Sequence, residues 1–293
     1  MGTLRASRRR AVVIAACCAW GVIIAPATAT RTDVQPDASA EIVERMRACL
    51  DAYEPKLSEL VADEEFLQRT PSRNAAYGEA TFARRLLVSD VGFLRLPGGL
   101  AWLAQRSVRS VDGVPVAADL PRLEDALVSA GAQIFARAKT IADANAKYNL
   151  GHPRSMNVPT LPLDLLGRRR QHAFRVDVEG PDTLGGRKAV RVAFREPPPG
   201  AIIAHDKERF LRADVVAWLS TDSGAVLRAD VTLDPPGYGR HRIRVDFAAE
   251  PALGLLVPVR MTESDTGFPD GDGSATYGNY RRFQTAGRIL PPR

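Results

Sequence analysis

Four histidines, three cysteines and 34 acidic residues are the groups that could do chemistry in this 293-residue chain. A zinc site needs His or Cys at spacings that let two ligands reach one ion, as in HxH, HExxH or CxxC. His152, His172, His205 and His241 stand at none of these spacings, and each reads as a scattered surface histidine. An acyl-transfer serine would sit in G-x-S-x-G, whereas Ser223-Gly224 falls in a turn between two alternating stretches. GYGRHR, residues 237–242, lacks the spacing of a phosphate loop. DGDG, residues 270–273, lacks the third acidic position and the distal Glu of a calcium loop and reads as a hairpin loop. Asp63, Glu64 and Glu65 read as a solvated acidic patch late in a helix. Arg168 to Arg170 form the one basic run beyond the N-terminus and suit an anionic lipid or polyanion. Cys49 has no second cysteine or nearby histidine and reads as a small buried residue. No catalytic residue, metal or cofactor is assigned, and the expectation is a protein without catalysis.

The chain that carries these residues begins with a targeting pattern. Arg5, Arg8, Arg9 and Arg10 precede an apolar run from Ala11 to Ile24, and Ala27-Thr28-Ala29 is a small-residue cleavage site. Residues 1–29 therefore read as a signal peptide cleaved after Ala29, which implies a periplasmic or secreted protein of a bacterial envelope, not integral to the membrane once the signal is gone. Ser7-Arg8-Arg9 leaves twin-arginine export open beside the general route. Ile14 to Cys17 resembles a lipoprotein cleavage box, but about six apolar residues precede Cys17 and the run continues past it, which disfavours a lipid anchor there. The whole chain has 40 Lys and Arg against 34 acids; removing the signal leaves 36 against 34. A net charge of +2 excludes nucleic-acid binding by bulk charge. The same cleavage removes Cys17 and Cys18, so Cys49 stands alone and no disulfide is expected.

After a flexible lead-in at 30–37, residues 38–285 read as one α+β domain, followed by a tail at 286–293. Ile42, Met46, Cys49, Tyr53, Leu57 and Leu60 recur three or four apart and predict a helix from Ala38 to about Gln68, interrupted at Pro55. Two strands, Arg84–Leu96 and Leu100–Val111, flank a PGG turn. Leu120, Leu123, Leu127, Ile134, Ala138, Ile141 and Tyr148 predict one helix of about 28 residues, roughly 40 Å, long enough to cross a sheet. From His172 the period becomes two. Phe174–Val178, Val190–Phe194, Leu227–Leu233, Ile243–Phe247 and Val257–Met261 each alternate one apolar face with one charged face, the signature of an antiparallel sheet buried on one side. GSATYGNYRRFQ, residues 273–284, closes the pattern. Simple alternation puts Tyr277, Asn279, Arg281 and Phe283 on one face and Thr276, Gly278, Tyr280 and Arg282 on the other, and its arginines suit an edge strand.

The meander from Phe174 to Phe283, with WLSTDSGAVLRADVTL (residues 218–233) and ATYGNYRRF (residues 275–283) as its most suggestive pieces, resembles the periplasmic lipoprotein-carrier superfamily, the outer-membrane lipoprotein-sorting proteins and their relatives. The resemblance implies a strongly curved antiparallel sheet, an incomplete barrel with amphipathic helices on its concave face. On that fold, a lipid or lipoprotein acyl chain would lie on Phe174, Val176, Leu227, Val231, Ile243, Val245, Phe247 and Val259, with Leu127, Ile134 and Ile141 closing over it. The alternative is an envelope interaction module with a filled core and no ligand, which would meet a protein partner through Tyr277, Tyr280 and Arg281, since Tyr and Arg are favoured at interfaces.

Overall fold

The computed structural model describes residues 36–58, 60–71, 82–95, 102–116, 122–130, 133–151, 154, 157–197, 203–204, 210–234, 239–266 and 271–283. The signal peptide, the C-terminal tail, His152 and His205 lie outside them. The first element is helix α1 (Pro36–Leu57). It is followed by β1 (Leu60–Pro71), β2 (Phe82–Arg95), β3 (Trp102–Val111) and the short β4 (Val114–Pro115). Helices α2 (Leu123–Ala130), α3 (Ile134–Asn145) and α4 (Leu161–Leu166) come next. The last described elements are β5 (Arg175–Leu184), β6 (Arg187–Arg195), β7 (Ile203–Ala204), β8 (Phe210–Ser220), β9 (Val226–Asp234), β10 (Arg240–Glu250), β11 (Leu255–Thr266) and β12 (Gly271–Arg282).

The strands form one antiparallel sheet in the order β4-β3-β2-β1-β12-β11-β10-β9-β8-β6-β5, with β7 added to β8. The order is open, ending on β4 and β5. One cluster of buried side chains joins Val91 and Phe93 of β2 to Val192 and Phe194 of β6 across every strand between. A sheet can bring such distant strands into one core only by curling around it, so the face carrying these residues is the inner one. The expected curved, incomplete barrel is what forms. Ile42, Val43, Met46, Leu50 and Leu57 of α1 and Leu163, Leu165 and Leu166 of α4 fill the inner side. The outer face of β5, β6, β9 and β10 carries cross-strand ion pairs, among them Arg191 and Arg195 with Glu179, Arg228 with Asp246, and Arg244 with Asp230 at 2.6 Å.

Three expectations are corrected. The first helix stops at Leu57, and the stretch read as its second half is β1. Leu60, Ala62, Glu64, Phe66 and Gln68 alternate inward there, so Glu64 is fully buried rather than solvated. Pro55 is tolerated inside the last turn of α1, but helical pairing ends two residues later.

The single long helix is two, α2 and α3, and the sequence between them carries Gly131, a poor helix former. Nor do they close the concavity. Leu123, Leu127, Ile134 and Ile141 pack with Val61, Leu94 and Phe283 in a separate cluster. Val61 alternates with the inward Leu60 and Ala62, so this cluster lies on the outer face.

The last strand is central rather than an edge, held between β1 and β11. The β1–β12 register shifts between Val61 and Asp63, and Asn279 takes a left-handed φ of 50° in the bulge. One extra residue there resets the alternation. Tyr277 and Tyr280 both turn into the inner core, while Arg281 and Phe283 turn outward.

Candidate functional site

A cleft of about 200 Å³ opens where α1 meets the β10–β11 turn. Helical spacing puts Cys49, Leu50, Tyr53 and Lys56 on one side of α1, and these with Ala52 form one wall. Leu163 of α4, Ala225 and Val226 at the start of β9, Phe247 of β10, and Gly254, Leu255 and Leu256 of the turn and β11 form the rest. Leu50, Leu163, Val226 and Phe247 are buried and make the floor, while Ala52, Lys56 and Gly254 are exposed at the rim. Two polar groups interrupt the apolar lining below the rim. The Tyr53 hydroxyl is buried and has no hydrogen-bond partner. Burial pushes this phenol far above its ordinary pKa, with Cys49 adding to the effect, so it stays protonated. The Cys49 thiol is half-buried, and burial raises its pKa too.

The turn before β9 holds α1 in place. Gly224 has φ 73°, and a Cβ there would stand 2.7 Å from the backbone of Arg45 and Met46. Arg45 Nη1 donates to the Thr221 carbonyl at 2.9 Å. The basic run is committed to the same purpose: Arg168 bridges Glu44 and Asp51 of α1, and Arg170 meets Asp164 of α4 at 2.9 Å. These charges are therefore paired within the chain.

Elsewhere on the inner face a buried polar network covers parts of β1, β3, β11 and β12. Arg106 grips the Glu64 carboxylate with two donors and lies 4.9 Å from the Phe66 ring centroid. Burial opposes the Arg106 charge, but the adjacent Glu64 outweighs it and raises the guanidinium's pKa, so Arg106 stays charged. Burial and Glu64 push the Tyr277 phenol well above its usual pKa. Asn157 and Arg154 both contact Glu263, and His241 contacts Asp265. Gln68 donates to Asn149 Oδ1 at 3.1 Å and accepts from the Leu150 amide at 2.7 Å. Asn149, Leu150, Arg154 and Asn157, which follow α3 in the chain, thus meet inner-face groups of β1 and β11. Their polar groups close that end of the core.

The expected site residues are distributed as follows. Val231, Ile243 and Val245 are buried at 1% exposure or less in the common core with Phe174, and Val176 and Val259 pack at its margin. Leu227 is buried too but lies at the β8–β9 register shift, and Val226 takes the place in that core instead. Phe247 belongs to that core and also lines the cleft. Leu127, Ile134 and Ile141 are on the outer face. Tyr277 is buried, Tyr280 stacks on Phe93 at 6.3 Å, and Arg281 is held by Asp63, Asp90 and Glu124. The cleft residues Cys49 and Tyr53 were visible as part of the first helical stripe. Nothing in their spacing separated them from core positions, because the β10–β11 turn that faces them is 200 residues away. Of the remaining histidines, His172 is exposed and His241 is partly buried beside Asp265, which corrects its reading as a surface residue. Among the described residues no helix is long and apolar enough to cross a membrane.

No family model matches the sequence, and no curated protein matches it. Among solved structures the chain is similar to a DUF1329 family protein from Desulfovibrio piger, at 10% identity over 84% of this chain and 92% of that one, TM-score 0.41. It is similar to an outer membrane lipoprotein-sorting protein domain from Vibrio parahaemolyticus, at 9% identity over 86% and 95%, TM-score 0.41. It is also similar to a LolA superfamily protein from Nitrosomonas europaea, at 9% identity over 87% and 97%, TM-score 0.33. No ligand, partner or residue role is carried over at such values.

Proposed function

We propose that this chain is an exported envelope protein that binds an apolar acyl chain, without catalysis, in the cleft between α1 and the β10–β11 turn. The observation that carries this reading is the cleft's wall: Leu50, Leu163, Val226, Phe247, Leu255 and Leu256 present apolar surface around a space open to solvent. Its size limits the occupant. About 200 Å³ is below the roughly 300–1,000 Å³ of pockets that enclose a whole small molecule. It has room for about seven groups of water size, hence a segment of one chain rather than a multiply acylated anchor. The export pattern at 1–29 supports an envelope setting.

Cys49 supplies the test, because it is the only thiol left after cleavage. The chain 30–293 is alkylated with a maleimide at about pH 8.5, where a thiol of raised pKa still reacts, with and without dodecanoic acid. Saturable protection of Cys49, with a bound mass in native mass spectrometry, is the expected result. Ala52→Trp fills the cleft from an exposed rim position and should abolish both signals. Unchanged alkylation together with a clean mass would overturn the reading. A second reading, an interaction module without ligand, has the filled inner face in its favour and would then take precedence. Its docking surface would have to exclude Tyr277 and Tyr280, which are part of the core.

A further inference from the structure

We propose that the cleft is a gauge of chain length, seating about seven carbons of one unbranched alkyl chain, and that the Phe247 ring sets its depth. This rests on the cleft being the binding site. The volume gives the count: at roughly 30 Å³ for a group of water or methylene size, seven carbons fill the space of about 200 Å³. The floor does not give way beneath them. Leu50, Leu163, Val226 and Phe247 belong to the common core as well as to the cleft. Met46, one turn before Leu50 on α1, and Val245, two residues before Phe247 on β10, are fully buried in that core. Such interiors are close-packed, and extra atoms forced into them are destabilising. A longer chain therefore goes no deeper, and its remaining carbons stay in solvent. Among the floor side chains Phe247 is the bulkiest and the most rigid, a flat ring on two torsions. It also stands where the β10–β11 register shifts after Asp246, and a bulge of this kind bends the strand and re-aims the side chains beside it. Each carbon added inside the cleft should tighten binding about fourfold, and each carbon beyond it should add little. An apolar surface without a fixed depth would go on rewarding added carbons, which separates the two.

The experiment titrates unbranched carboxylic acids of six to fourteen carbons against maleimide alkylation of Cys49 in chain 30–293. Affinity should rise about fourfold per carbon up to about eight carbons, seven seated and the carboxyl carbon outside, and then stay nearly level. Phe247→Ala vacates the ring's place and should carry the break about three carbons further, since the cavity left behind collapses only in part. Ala225→Leu enlarges a wall residue and should bring the break about three carbons earlier. It leaves Phe247 in the core, so it decides the question if Phe247→Ala does not fold. An affinity that climbs with the same slope to fourteen carbons would overturn the gauge while leaving chain binding intact. A break that stays at the wild-type length in a folded Phe247→Ala, or in Ala225→Leu, would do the same. If no acid of the series protects Cys49, the binding site itself is wrong.

Discussion

Glu64 and Glu263 lie inside the sheet at 0% and 4% exposure, each against an arginine. A buried ion pair gains Coulomb energy but loses the hydration of both charges, so its net contribution is small while the loss of one partner is costly. Burial brings Arg154 down to about 10, with Arg106 adding to the effect, and it remains charged at neutral pH. Glu263→Leu should therefore cost about 3–5 kcal/mol in urea denaturation. The double variant Glu263→Leu with Arg154→Leu should recover a good part of that; strictly additive losses would show that the two side chains do not act as a pair. Gly224 is a second sensitive residue, since it combines a positive φ with contact against the α1 backbone. Gly224→Ala is expected to lower stability by about 1–3 kcal/mol, and to increase Cys49 alkylation in the unliganded chain as α1 shifts away. Unchanged stability and alkylation would mean the turn does not position the helix.

At the scale of elements, α2 is pinned to β1, β2 and β12 by charge as well as by Leu123 and Leu127. Arg109, Arg122 and Arg281 surround Asp63 and Asp90, and Arg281 also holds Glu124 at 2.7 Å. Burial alone would raise the pKa of Asp63, but hydrogen bonds from Asn279 and Arg281 outweigh it and bring the carboxyl below its ordinary 3.8. Burial likewise opposes the Arg281 contact at Glu124, and the net effect is a value below 4.5. A folded pKa that is depressed stabilises the fold above the unfolded value and is lost as pH falls through the folded one. The urea midpoint of wild type should therefore drop as pH falls from about 5 towards 3. In Arg281→Leu the midpoint should be lower at neutral pH and the drop over that window shallower. An equal slope in both proteins would show that Arg281 does not set these carboxyls.

For the whole molecule, the important join is β1 with β12, which pairs the first described strand with the last in the middle of the sheet. Neither end of the chain can be completed without the other, so the contacts that close the core span more than 200 residues and carry a large loop-closure entropy. A chain ending at 270 loses β12 and splits the sheet into two parts, each with an unpaired edge and half a core. It should lose its cooperative thermal transition by circular dichroism. Retention of a cooperative melt would mean that the strand is peripheral, as its arginines suggest when read alone.

Period two in the β5–β6 and β9–β11 segments, the turns at Gly185-Gly186 and Asp222 to Gly224, and the apolar stripe of α1 were legible in the sequence because each depends on near neighbours along the chain. One-sided strands require something packed against their apolar face, and that much could be read from the residues; the curvature of the sheet was an expectation that the family resemblance implied. β1 was not legible: Ala62, Asp63, Glu64, Glu65 and Leu67 lack the β-branched residues of a strand and continue the stripe of the preceding helix. Only pairing with β2 and β12 makes it a strand and turns Glu64 inward. The outer position of α2 and α3 was equally hidden, since an amphipathic helix does not encode which face of a sheet it covers. Whether the inner face is a cavity or a core depends on volumes contributed by α1, α4 and seven or more strands at once, and alternation is the same in either case. Tertiary structure alone filled that face and left the cleft at its margin, where Cys49, Tyr53 and Lys56 meet Phe247 and Leu255.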